Sequence, residues 1–312
     1  MNVLREDFLV DWATGRLGIR KNDASFLQHG GINIVLNVDS FEDVTHLYPF
    51  LPLRIAGRRA TVGSLSDVIL KGATPKGILL AVRLSKTFSL EAFQEFYEGV
   101  IEAARKYNIS ILGGDTDVSE GGGLRVDVVA VGVAEGKIVN RWGAEPGDLL
   151  AISGKVGLSA VLYNFATHKA IKCPITRDVI EEYGWGQLPE LTAWLNLKEF
   201  VHAAIDNSDG IALSLHYLSE ASGVKIVISR LPLHPIVEEC IPSERVLEEV
   251  LYASGEDYNF IFAVPEDAAL KVNEIGGTII GRVEEGGGVE FEDGREIERK
   301  GWVGGAGYEK RR

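Results

Sequence analysis

Three apolar runs stop at aspartates: Ile34-Val35-Leu36-Asn37-Val38-Asp39, Ile111-Leu112-Gly113-Gly114-Asp115-Thr116 and Ala204-Ile205-Asp206-Asn207-Ser208-Asp209-Gly210. A buried strand that ends in a carboxylate places it at the rim of a sheet, where several such ends can converge on one site. Carboxylate oxygens suit hard divalent cations, and Mg²⁺ commonly bridges one or two carboxylates to substrate phosphates while keeping much of its water. The chemistry these residues fit is metal-assisted work on a nucleotide or phosphate ester.

The charge balance narrows the partners. With 45 acidic against 32 basic side chains, the formal charge of −13 repels nucleic acid and anionic membrane surfaces, so neither is expected as a partner. An acidic chain that handles phosphates needs cations to offset that repulsion, which agrees with the aspartate pattern. There is no GxxxxGK[ST] loop, and no GxGxxG follows a strand and opens a helix, so the common nucleotide-binding loops are not supported. GxSxG and HExxH are missing too, which argues against serine hydrolase and zinc protease chemistry. Cys173 and Cys240 lie far apart without a CxxC or Cys/His spacing, so the reading is two ordinary thiols and the cytoplasm. No window reaches the ~18 apolar residues of a membrane span.

The elements that must position the aspartates alternate along the chain. Strands are predicted at 32–39, 77–84, 109–112 and 124–130, with a helix from an N-cap at Ser89 through Tyr107. Leu90, Phe93, Tyr97, Val100, Ile101 and Ala104 define the buried stripe of that helix. The turn-rich segment Arg141-Trp142-Gly143-Ala144-Glu145-Pro146-Gly147-Asp148 reads as a domain break. Beyond it come a strand at 149–153, a helix at 156–168, a helix at 211–222 with Leu215 and Leu218 inward, and a strand at 224–229. A helix at 243–253, a strand at 258–264, a helix at 265–275 and a strand at 278–283 follow, with Glu292-Asp293-Gly294 as a late hairpin turn. The fold class is α/β (α+β), and 312 residues suit two domains, placed at 1–140 and 141–312.

Taken in order, Leu65-Ser66-Asp67 with Lys71-Gly72-Ala73-Thr74-Pro75, then Gly113-Gly114-Asp115-Thr116, Asp206-Asn207-Ser208-Asp209-Gly210 and Gly255-Glu256-Asp257-Tyr258 resemble the motifs of thiamine-monophosphate kinases. That family falls within the superfamily of aminoimidazole-ribonucleotide synthetase and selenophosphate synthetase. Ile280-Gly281-Arg282-Val283 through Lys300-Gly301-Trp302 extends the likeness over nearly the whole chain. The resemblance implies Mg²⁺-dependent transfer of a phosphoryl group from ATP to thiamine monophosphate. It assigns Asp23, Asn37, Asp39, Asp67, Asp115, Asp206 and Asp209 to metal coordination, and the carboxylates Asp115, Asp206 and Asp209 to the chemistry itself. Tyr97, Gly114, Asp115, Arg141 and Ser208 would meet ATP. His46, Glu256, Asp257, Trp302 and Tyr308 would shape the acceptor pocket, where an aromatic face suits a flat cationic ring. It also implies an N-terminal sheet that pairs across a homodimer to form a barrel, with a C-terminal α/β domain covering the cleft.

Two positions depart from the family pattern. Lys21-Asn22-Asp23-Ala24 has an amide where the first of two aspartates is usual, and Asn37-Val38-Asp39 has valine where a hydroxyl is usual. These departures support a second hypothesis, a relative that binds ATP or thiamine phosphates without turnover. A third is the hydrogenase-maturation relative, which uses a C-terminal cysteine; this sequence ends Tyr308-Glu309-Lys310-Arg311-Arg312. Singly, each motif also has a structural reading: Gly114-Asp115 and Asp209-Gly210 as turns, Asp206 or Asp209 as helix cap, and His46, Tyr97 and Trp302 as packing residues.

Overall fold

The computed structural model describes residues 5–168, 173–304 and 307–308. It divides into two compact units. The N-terminal unit holds Ala24–Ile138 together with Pro174–Lys198. The C-terminal unit holds the residues up to Asp23, Val139–Cys173 and the chain from Glu199 onward. The break near Val139 lies close to the one expected at 140/141, but two segments belong to the other unit than a 1–140/141–312 division gives.

The first of these is the opening segment, with helix α1 (Glu6–Leu17). Glu6 N–H donates to the Gly304 carbonyl at 3.1 Å, and Arg20 donates to the Ala221 carbonyl at 2.7 Å, which ties this segment to the C-terminal unit.

The N-terminal unit then builds β1 (Ser25–His29), β2 (Ile32–Glu42), the single turn α2 (Asp43–His46), α3 (Leu53–Leu70), β3 (Thr74–Ser85), α4 (Leu90–Lys106), β4 (Ser110–Ser119) and β5 (Leu124–Ala134). Its sheet runs β1-β2-β5-β3-β4, antiparallel except for the β3–β4 pair. Strand β5 alternates strictly between buried and less buried positions, so one face of the sheet carries the core. The other face leaves Val38 and Leu79 exposed, and the edge strand β4 exposes Ile111, Leu112 and Val118.

Helices α3 and α4 cross at two glycines. A Cβ on Gly57 would stand 2.0 Å from the Phe96 carbonyl oxygen, and one on Gly99 would stand 1.9 Å from that of Arg54. Ser89 caps α4 as expected, accepting from Ala92 N–H at 3.1 Å. Val100 and Ala104 of the expected stripe are buried together with Phe96 and Ala103, whereas Leu90 in the first turn is 65% exposed.

Strand β4 corrects the expectation of a short strand ending at Gly113. It continues to Ser119, because a shift of register at Ile78/Leu79 lets it stay paired with β3 past the two glycines. Gly114 is needed there, since any Cβ would meet the Leu80 carbonyl oxygen at 1.8 Å.

In the C-terminal unit β6 (Leu149–Ser153) and α5 (Leu158–His168) come first. Helices α6 (Arg177–Trp185) and α7 (Leu191–Leu197) are the second displaced segment and pack on α3 of the N-terminal unit. Trp194, fully buried, donates its indole N–H to the Ile69 carbonyl at 2.7 Å, and Arg59 donates to the Tyr183 carbonyl at 2.6 Å. Glu181 accepts from Arg54 and Arg58 at 2.5 Å each, while Glu102 of α4 accepts from the same two arginines at 2.9 and 2.6 Å.

The C-terminal unit resumes with β7 (Ala203–Asp206), α8 (Ile211–Ser222), β8 (Lys225–Ile228), α9 (Pro235–Cys240), α10 (Ser243–Ala253) and β9 (Phe260–Val264). After one 3₁₀ turn come α11 (Ala269–Glu274), β10 (Gly277–Glu284), β11 (Gly288–Phe291), β12 (Trp302–Val303) and β13 (Gly307–Tyr308). The single helix expected over 265–275 is therefore a 3₁₀ turn at Glu266–Ala268 followed by α11. The main sheet of this unit runs β11-β8-β10-β6-β9-β7. Leu215 and Leu218 of α8 are buried in its core, as the spacing predicted.

Cys173 and Cys240 form a disulfide, which corrects the reading of two ordinary thiols. Spacing along the chain could not show it, because folding brings Cα atoms 67 residues apart to 5.2 Å. No helix among the described residues is long and apolar enough to cross a membrane.

Candidate active site

In the N-terminal unit the expected residues are spread over β2, α2, α3, α4 and β4. Asp115 lies on β4 opposite Ala81 of β3 and is exposed, with its carboxylate accepting from Thr116 N–H at 3.0 Å. Tyr97 on α4 is held beside this strand by a hydrogen bond with the Thr116 side chain, and burial pushes its hydroxyl pKa up despite that bond. A phenol that stays protonated is a hydrogen-bond donor over the whole working range of pH.

Across the same sheet, the Asn37 amide on β2 donates to the Asp67 carboxylate on α3 at 2.6 Å. Asn37 was expected among the metal ligands. Its amide nitrogen fixes the orientation of a neighbouring carboxylate, and the amide oxygen is the atom a cation would take. Asp39, two residues on, is exposed and accepts from Ser40 N–H at 2.9 Å. Val38 between them is 65% exposed and brings no ligand atom. His46 is half-buried on α2; its Nδ1 accepts from Glu42 N–H at 3.0 Å and its ring lies tilted against Phe41, with centroids 5.2 Å apart.

The C-terminal unit assembles the other set. Asp206 closes β7 at 4% exposure and accepts from the Ser208 hydroxyl at 3.0 Å. Helix α8 starts after Gly210, which has no side chain with which to cap it, and the Ser214 hydroxyl in its first turn donates to the Asp206 carbonyl at 3.0 Å. Asp23 forms an ion pair with Arg141 at 2.6 Å. Carboxylate oxygens of Asp23 and Asp206 come within 4.8 Å of each other. That spacing is close to the roughly 4 Å between opposite ligands of a hexacoordinate Mg²⁺, and all-oxygen carboxylate donors are the set that ion prefers. The residues present fit the metal.

Asn22 explains its own departure from the family pattern. Its Nδ2 donates to the Asn140 side chain at 3.0 Å and its Oδ1 accepts from the Arg141 backbone N–H at 3.3 Å, so the amide anchors the segment that presents Arg141. An amide can do both, whereas a carboxylate could only accept.

Sequence reasoning missed Tyr217. Its ring lies 5.3 Å from the Arg141 guanidinium and 5.1 Å from that of Arg299, and burial, reinforced by the Asp209 charge, pushes its hydroxyl pKa up. Its place on α8, six residues past the start, gave no signal beyond helical burial.

Of the residues expected at the acceptor, Trp302 is half-buried and its backbone N–H donates to the Asp209 carbonyl. The backbone of Tyr308 pairs with that of Trp302, and its side chain lies outside the described residues. Glu256 is half-buried, with a backbone φ of +67°. Asp257 departs from its expected place in the acceptor pocket. It is 2% exposed, and its two carboxylate oxygens accept from the backbone N–H groups of Gly157 and Ser159 at 2.6 and 2.8 Å. The start of α5, where amide donors are left without helical partners, claims this carboxylate.

These carboxylate-tipped strands on a two-unit α/β scaffold define the class of the protein: residues 21–134 match the family described as AIR synthase related protein, N-terminal domain. The chain belongs to the thiamine-monophosphate kinase family. The thiamine-monophosphate kinase of Aquifex aeolicus (strain VF5) is 30% identical over 286 residues, covering 90% of this chain and 91% of that protein. The solved structure of AaThiL complexed with AMPPCP and TMP superposes with a TM-score of 0.84 at 28% identity, over 97% of this chain and 98% of that one. Hydrogenase maturation protein HypE, at 20% identity and a TM-score of 0.69 over 89% of this chain and 92% of that one, shares the fold.

Proposed function

We propose that this protein phosphorylates thiamine monophosphate at the expense of ATP, giving thiamine diphosphate and ADP. The observation that carries the reading is the loop from Asp206 to Asp209. One of its carboxylates is joined by the Ser208 hydroxyl, and its backbone is bonded to the aromatic residue assigned to the acceptor. A kinship that spans nine-tenths of the chain, with a relative of the same fold holding AMPPCP and TMP, supports the same activity.

Phosphoryl transfer asks little covalent chemistry of a protein; positioning and charge neutralisation do most of it. In this reading Asp23, Asp39, Asp67, Asp115, Asp206 and Asp209 hold Mg²⁺, which when bound neutralises phosphate oxygens. Arg141 and the Ser208 hydroxyl meet the phosphates, and Tyr97 and Gly114 line the nucleotide's place. Trp302 offers its ring to the cationic thiazolium, and His46 and Glu256 contact the acceptor. The open apolar face of the sheet containing β2 and β4 is the surface a second copy of the chain would cover in a homodimer. An ATP-consuming enzyme of this kind works in the cytoplasm.

Measuring ADP release from ATP with Mg²⁺ and thiamine monophosphate tests the activity. Acceptor-dependent ADP supports it; ligand binding without ADP release would favour the reading, raised by Asn22 and Val38, of a relative that binds without turnover. A protein that sediments as a monomer at micromolar concentration would remove the dimer.

A further inference from the structure

We propose that Asp257 is a positioning residue, which fixes the turn carrying Glu256 so that the Glu256 carboxylate is presented to the acceptor. The inference rests on the proposed function, because it takes Glu256 as an acceptor contact.

Asp257 stands between two residues in the left-handed region, Glu256 at φ +67° and Tyr258 at φ +57°. Neither is glycine, and side chains there are strained, so such a backbone persists only where its surroundings over-determine it. The surroundings here are long-range. The Asp257 carboxylate takes two N–H groups from Gly157 and Ser159, residues 100 and 98 positions away in the chain. The residue just before α5 is Gly157, which has no side chain with which to cap its own helix. Asp257 therefore satisfies donors the helix cannot satisfy itself, as a charge-assisted pair at the positive end of the helix.

The same turn is bonded on its other side to the Asp206–Asp209 loop. Glu256 N–H donates to the Ser208 carbonyl at 2.8 Å and Tyr258 N–H to that of Asn207 at 3.1 Å. Asn207 N–H donates to the Asn259 carbonyl at 2.8 Å, and its side-chain amide to the Ser254 carbonyl at 3.0 Å. The Glu256 turn is thus held between α5 and the loop that bears two of the metal-directed carboxylates. Of the two anchors, the loop side consists of main-chain bonds and a neutral amide; on the α5 side the Asn259 amide donates to the Ser153 and Lys155 carbonyls, and the bond to the helix itself is made by the Asp257 charge. Removing that charge should let the Glu256 side shift while the loop keeps its own bonds.

The test is a double-mutant cycle on the full chain with Asp257→Asn, Glu256→Gln and the pair, reading KM for each substrate and the melting temperature. The expected result is that Asp257→Asn melts cooperatively and raises KM for thiamine monophosphate by about tenfold with KM for ATP unchanged, the pattern of a lost acceptor interaction. Glu256→Gln should give the same split, and the double variant should be no worse than Glu256→Gln alone, since contacts that act through one another are not additive. Should Asp257→Asn fail to fold, Asp257→Glu, which keeps the charge on a longer arm, takes its place in the cycle. An acceptor KM within twofold of wild type, an equal rise in both KM values, or additive effects would each overturn the inference while leaving the proposed activity standing. A wild-type protein that does not turn over thiamine monophosphate would overturn both.

Discussion

The backbone N–H of Trp302 donates to the carbonyl of Asp209 at 2.7 Å, so the aromatic side chain assigned to the acceptor and a carboxylate assigned to the metal are joined by one hydrogen bond. A Cβ on Gly301 would stand 2.4 Å from that same carbonyl oxygen, so the strand bearing Trp302 can approach this closely only because glycine precedes it. The two side chains can nevertheless be separated by mutation, because the bond between them is main chain to main chain.

Trp302→Ala should raise KM for thiamine monophosphate by roughly tenfold while KM for ATP holds, as loss of a cation–π platform would do. Steady-state kinetics with each substrate varied in turn checks it, and an unchanged acceptor KM would remove Trp302 from the pocket.

Asp209→Asn should lower kcat by about 100-fold or more, the size of effect seen when one preorganised charge-stabilising group is lost. Its melting temperature should stay near that of wild type, since the exchange keeps the size and shape of the side chain. Turnover close to wild type would end its assignment as a metal ligand.

Asn22→Asp restores the carboxylate usual in the family at the cost of the donor now given to Asn140. Ligand charge tunes cation affinity. The Mg²⁺ concentration for half-maximal ADP release should therefore fall; a rise would mean that anchoring Arg141 outweighs the added charge.

The clamp between α3 and α6 makes a pH-dependent prediction. Burial pushes the Glu181 carboxyl up, but the hydrogen bond from Arg58 and the charges of Arg58 and Arg54 outweigh it and hold the group below its usual range. A carboxylate with a lowered folded pKa stabilises the protein above the unfolded value near 4.5 and loses that contribution as pH falls through the folded value. Thermal melts of Glu181→Gln should thus lie below wild type at pH 7 and converge toward it in acid. Arg58→Ala, which leaves two part-exposed carboxylates with Arg54 alone, should cost about 1–2 kcal/mol.

Much of this was legible in the sequence where the signal is local. Helix α8 and strand β6 fall at their expected bounds, since a capless apolar run or a clean 3.6-residue stripe reads the same in isolation and in the fold. Helix α3 was not legible: fifteen of its eighteen residues are buried, including Arg58 and Arg59, so no polar face marks a stripe. Strand β4 was cut short by its two glycines, whose place is set by the neighbouring strand. Asp23, Asp115, Asp206 and Asp209 could be listed as candidates from order and residue type alone. The tasks of Asn22, Asn37 and Asp257 could not, because each is defined by a partner at least 30 residues away. The one hint for Asp257 was the helix after Val156, which opens on glycine with no capping side chain of its own.

Cys173 and Cys240 close a covalent ring that contains the whole stretch from α6 to α9. Asp206, Ser208 and Asp209 lie inside that ring, and Glu256 and Trp302 lie outside it. A protease that severs the backbone once anywhere between the two cysteines leaves a nicked chain whose pieces stay linked until a thiol reductant is added, so Asp206 and Asp209 are tethered to the rest of the molecule by two routes, and Glu256 and Trp302 by one.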